Sequence, residues 1–498
     1  MRLAPLLLVA LVLAGCVSLP GSGDDAGAGA PVAGYARVCD AISRGAAAAW
    51  PEPCLAFASP NDSPSKAEID LVVDPTDPQN VVVGSKDLDT AASPCVWAVP
   101  QVSKDGGESW TSVYIGGKQS ERAPGDPLFG WQCITDPIMT FDAEGTLYYS
   151  LQAYDHTVEG GDVPIPGNPL VGSPTILSSI LMARSSDGGE TWEKIITLHA
   201  GDGINVFHDF MRMASNPATG SVYTIWNQYN QNSVGVPVVG GVAGVIPVLV
   251  ASRDGGDTAA PPTYVQVPNI AMSSMAVATE GTVYVSFEGD GGAGLLATST
   301  DDARSFSTPV AIPEWQRVPL ARQAIGDDAF RTTGSYELAV DNSGGARDGW
   351  IYATISDYTD DDANLYVSHS EDKGATWSAP VLLNEDDHVK GFQWMARPYV
   401  DRLGNLHVVY LDSSRNAQPN MLDATWALST DGGATFTNTY LTNASFDGNK
   451  GIHQDGFAFI GDYIGIGGAG DVVYMGFPTT VTGRAEIAVA KVSLPTTA

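Results

Sequence analysis

Short runs of β-branched and aromatic residues, separated by turn formers, recur along most of this chain. Residues 137–142 (PIMTFD) lead through Gly145 into residues 146–150 (TLYYS), and residues 180–184 (ILMAR) follow after a loop. The same order returns at residues 398–410, where PYVDRLG precedes NLHVVY. Runs of this length, bounded by Gly, Asn or Asp, read as strands. No stretch of ten or more residues carries the spacing of an amphipathic helix. Units of this kind begin near Ile69, Pro137, Phe210, Met275, Tyr336 and Pro398. The pattern predicts an all-β chain built from repeats, which are read before anything else because they decide the fold.

Each unit ends in a related octapeptide: SKDGGESW from Ser103, SSDGGETW from Ser185, SEDKGATW from Ser370 and STDGGATF from Ser429. Two copies are worn. STDDARSF from Ser299 lacks the glycine, and SRDGGDT from Ser252 lacks the aromatic residue. The copies stand 47 to 82 residues apart. A tight turn needs a position tolerant of positive φ, which glycine supplies. The Asp carboxylate can accept backbone N–H groups of that turn, and the hydroxyls add further bonds. Asp105, Asp187, Asp254, Asp301, Asp372 and Asp431 are therefore expected to be structural. The aromatic residue is expected to plug the gap between neighbouring sheets.

The octapeptide resembles the Asp box of sialidases and other BNR-repeat proteins, and the resemblance covers residues 67–498 at the level of repeats. It implies a β-propeller. A seventh unit without a box follows at residues 457–465, 472–477 and 486–492, one strand short of a blade. A propeller closes its ring to avoid open strand edges. The missing outer strand is expected between Cys54 and Ser59, so that strands from both chain ends close the ring. The expectation is seven four-stranded blades, with six as the alternative.

The N-terminus changes the picture. Arg2 precedes an apolar run from Leu6 to Leu13, the form of an export signal. The run ends in Leu13, Ala14, Gly15 and Cys16, which resembles the lipobox of prokaryotic lipoproteins. That resemblance implies a signal peptide at 1–15 and a lipidated Cys16 holding the protein to the outer side of the cell membrane. Residues 16–34, rich in Gly, Ala, Ser and Asp, read as a flexible tether. Residues 35–66 are then an extension carrying the closing strand. Cys39, Cys54, Cys95 and Cys133 remain, and in an exported chain four cysteines suggest two disulfides. Cys39–Cys54 and Cys95–Cys133 are the favoured pairs, the second because both residues fall in loops of one face of adjacent blades.

The 498 residues are 44% hydrophobic, enough for a core, yet carry a net charge of −32. Such a field repels phosphate backbones and argues against nucleic-acid partners. No organic cofactor is called for. Calcium is the ion that the acidic loop of Asp357, Asp360, Asp361 and Asp362, or the pair Glu288 and Asp290, would suit.

If the boxes turn between the third and fourth strands, the remaining loops gather on the opposite face. The starts of the inner strands bring Trp131, Asp136, His208, Asp209, Arg212, Glu337, Trp394, Arg397, His453 and Asp455 to that mouth. The other loops add Asp155, His156, Asn227, Asp357, Tyr358, Asp412 and Arg415, and Arg317, Arg322 and Arg331 precede the fifth blade. Aromatic faces beside carboxylates and arginines suit sugars.

The sialidase resemblance implies three arginines on a sugar carboxylate, a Tyr nucleophile with a carboxylate partner, and an Asp acid/base. Here the candidates for that set are Arg212, Arg397, Tyr463 and Asp136, with Arg397 as a clamp member and Tyr463 as the nucleophile. The chain departs from the pattern before the first box, where a Phe/Tyr-Arg-Ile-Pro segment belongs. Tyr35 to Cys39 is a poor substitute, and Gln316 to Pro319 lies between the fourth and fifth units. The expectation is a surface module that binds a glycan or an envelope or extracellular protein, the alternative being an exo-α-sialidase.

Overall fold

The computed structural model describes residues 54–58, 65–88, 96–117, 122–155, 157–158, 161–162, 177–200, 206–230, 245–265, 271–288, 292–313, 332, 334–359, 362–385, 390–416, 418–454 and 457–495. These form seven antiparallel blades of four strands each, with no α-helix among them. The inner strands, in chain order, are Lys66–Val73, Cys133–Phe141, Val206–Ser215, Ala271–Val277, Glu337–Val340, Gln393–Val400 and Gly465–Ala469. Six blades run outward in sequence order, and the first and sixth carry an extra short strand, Val96–Ala98 and Phe446–Asp447.

The seventh blade closes the ring. Its strands Gly465–Ala469, Val472–Thr479 and Glu486–Ser493 take Cys54–Phe57 as the outer strand. Cys54 stands opposite Lys491 and Phe57 opposite Ala488, where an outermost strand was expected. The seam between the last and first blades is unusually close. A Cβ on Gly465 would lie 2.3 Å from the Leu71 amide nitrogen, and one on Gly461 2.6 Å from that of Glu68. Only glycine admits that approach of two backbones.

The boxes form the turns between third and fourth strands. Asp187 Oδ1 accepts the Thr191 amide at 2.9 Å and the Ser185 hydroxyl at 2.8 Å, while Ser185 Oγ accepts the Gly189 amide at 2.8 Å. The worn copies keep this geometry, with Asp254 accepting the Thr258 amide and Asp301 the Ser305 amide, both at 2.9 Å. Where glycine is lost, Asp302 and Ala303 carry positive φ themselves. The aromatic residues plug the seams as expected. Trp192 packs on the cluster of Val82, Val102 and Leu147, which joins blades one and two, and Trp377 packs on the cluster joining blades four and five.

The scarce cations are spent on the same face, each bridging a seam. Lys104 donates to the Asp187 carbonyl, Arg184 to that of Gly255 at 2.7 Å, and Arg253 to the Asp302 carboxylate at 2.6 Å. Lys373 meets Glu280 at 2.9 Å, Arg347 reaches the Thr430 carbonyl at 3.3 Å, and Arg402 pairs with Asp471. Lys491 completes the circuit on the Gly106 carbonyl at 3.0 Å. A charge-assisted bond to a turn carbonyl ties blades together where apolar burial thins out.

Cys133 is buried at the start of the second inner strand. Cys16, Cys39 and Cys95 lie outside the described residues, so both disulfide pairings do too.

Candidate functional site

Inner strands start on the face opposite the boxes, and four of them share one distortion there. Glu68, Asp136, Phe210 and Met395 all hold positive φ, between 53° and 55°, each within a register shift against the second strand. A left-handed non-glycine residue costs energy and persists where its surroundings impose it. Each bulge shifts the strand by one residue, which re-aims the side chains that follow. Two positions after three of these residues stand Asp70, Arg212 and Arg397.

The bulged strands of four blades, with Glu337 from the unbulged inner strand of the fifth, bring charges into the channel. Arg212 Nη2 meets Glu337 Oε1 at 2.6 Å, and Arg397 Nη1 meets Glu337 Oε2 at 2.5 Å. Burial opposes the Glu337 charge, but Arg212 and Arg397 outweigh it and hold the carboxyl down to about 2. Asp70, raised by burial and partly offset by Arg397 and Arg212, accepts the Met139 amide at 2.7 Å. The Arg212 guanidinium also lies over the rings of Phe210, at 4.3 Å, and Tyr463, at 5.4 Å.

Beside this layer lies a second cluster, from blades one to three. Lys86 Nζ sits 2.9 Å from Glu68 Oε2 and 3.5 Å from Asp136 Oδ1. Asp209 is hydrogen-bonded to Asp136. Burial drives Asp209 well above the carboxylate range, reinforced by the Asp136 charge, so Asp209 is the proton donor of that pair. Burial likewise lifts Glu68 to about 8 against the pull of Lys86. Asp136 stays below its ordinary value because Lys86 and its hydrogen bonds outweigh burial. Around the Lys86 ammonium the cluster therefore sets the Asp136 carboxylate beside the protonated carboxyls of Glu68 and Asp209, with Asp462 also within electrostatic reach of Glu68. Asp209 and Asp462 are its partly exposed members.

Tyr463 lies between the clusters. Its phenol donates to the Pro137 carbonyl at 3.4 Å. Burial and the nearby Glu68 and Asp136 charges push it well above the ordinary tyrosine value. Such a phenol keeps its proton.

Of the residues expected at the mouth, Asp136, Asp209, Arg212, Glu337 and Arg397 come together, and the candidate nucleophile Tyr463 joins them. Trp394 is fully buried in the core joining blades six and seven. His208 is buried too, with Nδ1 2.9 Å from Ser178 Oγ and its ring edge-on to His199. Burial holds it down to about 3, with His199 adding to the shift. Trp131 is half-buried against the core joining blades one and two. His453 lies in the strand Ile452–Gln454, but its side chain is outside the description, as is that of Asp155; His156, Arg317, Arg322, Arg331, Asp360, Asp361, Asp290 and Asp455 lie outside the described residues altogether. Among the described residues no group of three or more His, Cys, Asp or Glu is arranged to hold a metal ion. Asn227 braces the third and fourth blades through the Met272 backbone, and Arg415 pairs with Asp423 at 2.9 Å within the sixth. Asp412 accepts the Ser414 amide at 2.7 Å and Gln393 Nε2 at 2.8 Å, while Tyr358 stacks on Phe392. The sequence reading passed over Glu68, Asp70 and Lys86. For two of them the signal was the repeat itself, since Glu68 holds in blade one the place of Asp136 in blade two and Asp70 the place of Arg212 in blade three.

No protein-family model matches the sequence, and no curated protein does. Solved structures do align with the chain. A Hadza microbial sialidase is 14% identical, with 82% of this chain and 74% of that one covered and a TM-score of 0.46. The intramolecular trans-sialidase of Ruminococcus gnavus is 12% identical, covering 76% and 98%, with a TM-score of 0.46. An ulvan lyase of polysaccharide lyase family 25 is 11% identical, covering 87% and 95%, with a TM-score of 0.47. At this level of likeness the alignments assign no role to any residue of the site.

Proposed function

We propose that this chain is a glycan-binding propeller, held at the outer side of the cell membrane by a lipidated Cys16, and that it binds without cleaving. One observation carries the reading. Among the described residues the two channel arginines, Arg212 and Arg397, share Glu337 as an internal counter-ion at 2.6 and 2.5 Å, so much of the charge that would draw a ligand carboxylate is already balanced. The state of Tyr463 agrees, since its phenol donates to the Pro137 carbonyl and not to a carboxylate that could take its proton. The mouth does suit hydroxyl-rich ligands. Asp209 and Asp462 supply donor and acceptor oxygens, and Phe210 adds an aromatic face partly open beside them.

The second reading is an exo-α-sialidase type of hydrolase. What favours it is the convergence of Arg212, Arg397, Glu337 and Tyr463 from four blades, beside the protonated Asp209 carboxyl hydrogen-bonded to Asp136. A glycan array probed with the full chain, run beside a fluorogenic sialoside, separates the two. Array binding lost in Phe210→Ala and Asp209→Ala, with a silent sialoside, supports the binding reading. Sialoside turnover abolished by Arg397→Ala would replace it with the hydrolase.

A further inference from the structure

Among the described lysine–carboxylate pairs, Lys66 and Asp87 stand apart. They lie directly opposite each other on the first two strands of blade one, Lys66–Val73 and Val81–Leu88, and the ammonium donates to Asp87 Oδ1. Their side chains are 0% and 3% exposed. Alternation along the second strand puts Asp87 on one face with Val81, Val83 and Ser85. Val81 and Val83 belong to the apolar cluster that joins blades one and seven through Ile487 and Val489. The pair therefore caps a dry seam. Ser85 is buried as well, and its hydroxyl donates to the same Asp87 oxygen at 3.2 Å. Other lysines that meet carboxylates are placed differently. Lys86 is divided between Glu68 and Asp136, while Lys194 and Lys373 meet Asp257 and Glu280 on the exposed Asp-box face.

We propose that Lys66 and Asp87 condense into an intramolecular isopeptide bond, a covalent lock across the first blade. The step needs no outside reagent. A proton passes from the ammonium to the carboxylate within the pair, and the freed amine attacks Asp87 Cγ. The Nζ–Cγ bond forms as a Cγ–OH bond breaks, and the hydroxyl leaves with a second lysine proton as water. Contact within the folded chain replaces a bimolecular encounter. The Ser85 hydroxyl polarises the carboxyl through Oδ1. Condensation also removes two charges that cost free energy in an apolar seam. The lock lies where the ring closes. The Lys66 amide bonds to the Ala485 carbonyl of blade seven at 3.0 Å, and that of Ile69 to Tyr463 at 3.2 Å. Joining the first inner strand to its neighbour fixes the strand that the last blade closes against. It also restricts the unfolded chain, as a disulfide does.

Peptide mapping by mass spectrometry tests this on the full chain, purified in the folded state and then denatured and digested. A branched peptide is expected that joins residues 66 and 87 and weighs one water less than its two parts. Lys66→Met and Asp87→Ala should each abolish it. Separate, unmodified peptides carrying Lys66 and Asp87 in the parent protein overturn the proposal and leave an ion pair. A branch at Lys86 in place of Lys66 overturns it as well. The map of the parent decides alone, so a variant that fails to fold does not blunt the test.

Discussion

Lys491, on the last strand of the chain, donates to the carbonyl of Gly106 in the first blade's turn at 3.0 Å. The bond links the two ends of the ring across the seam that Cys54–Phe57 also closes. Lys491→Met keeps the stem and removes the donor. A charge-assisted hydrogen bond of this kind contributes about 1.5–3 kcal/mol, so the unfolding free energy is expected to fall by that amount, read as a lowered urea midpoint with unchanged m.

The Gly465 seam is less forgiving. A methyl group there meets the Leu71 backbone nitrogen at 2.3 Å, and backbone cannot rotate away. Gly465→Ala is expected to cost more than about 3 kcal/mol, beyond ordinary overpacking, and to appear as lost soluble yield and a lowered Tm. A variant as stable as the parent would show that the first and last inner strands are not so closely apposed.

Glu337 neutralises two arginines, so its removal leaves buried charge uncompensated. Glu337→Gln is expected to destabilise by about 3–5 kcal/mol, read from chemical denaturation. Replacing Arg212 and Glu337 together by apolar residues should recover part of that loss, because the network would shrink as a unit.

The two clusters titrate in opposite senses. Burial raises Glu68 to about 8 in the folded chain, so the folded state holds a proton that the unfolded state releases near the ordinary 4.5. Its stabilising contribution is full below about 4.5 and is lost as pH rises through 8. Glu337, held at about 2, behaves in reverse; its contribution is present above 4.5 and lost as pH falls toward 2. Unfolding free energy is therefore expected to decline between pH 5 and pH 8. The slope should be shallower in Glu68→Gln, and an identical slope would remove Glu68 from the account.

The blades were legible in the sequence because their signal is local. Ser185, Asp187, Gly189 and Thr191 make their bonds to one another within a single turn, so composition at fixed spacing suffices. The closing strand followed from the need of the seventh sheet for a partner. The channel was only partly legible. Whether a side chain faces channel or seam depends on the bulges at Glu68, Asp136, Phe210 and Met395, and one residue of shift exchanges the two faces. Trp394, next to Met395, is therefore buried between blades while Arg397 reaches Glu337. The lifted Glu68 and Asp209 depend on burial among three blades, which no spacing records.

The central claim is binding without cleavage at the channel mouth. Its most direct test is mass spectrometry of a mixed pool of glycans incubated with the full chain, then separated into retained and free fractions. Intact glycans retained by the protein, at unchanged mass and lost from the Asp209→Ala variant, are predicted. Shortened glycans with free monosaccharide in the filtrate, absent when Arg397→Ala is used, would contradict it.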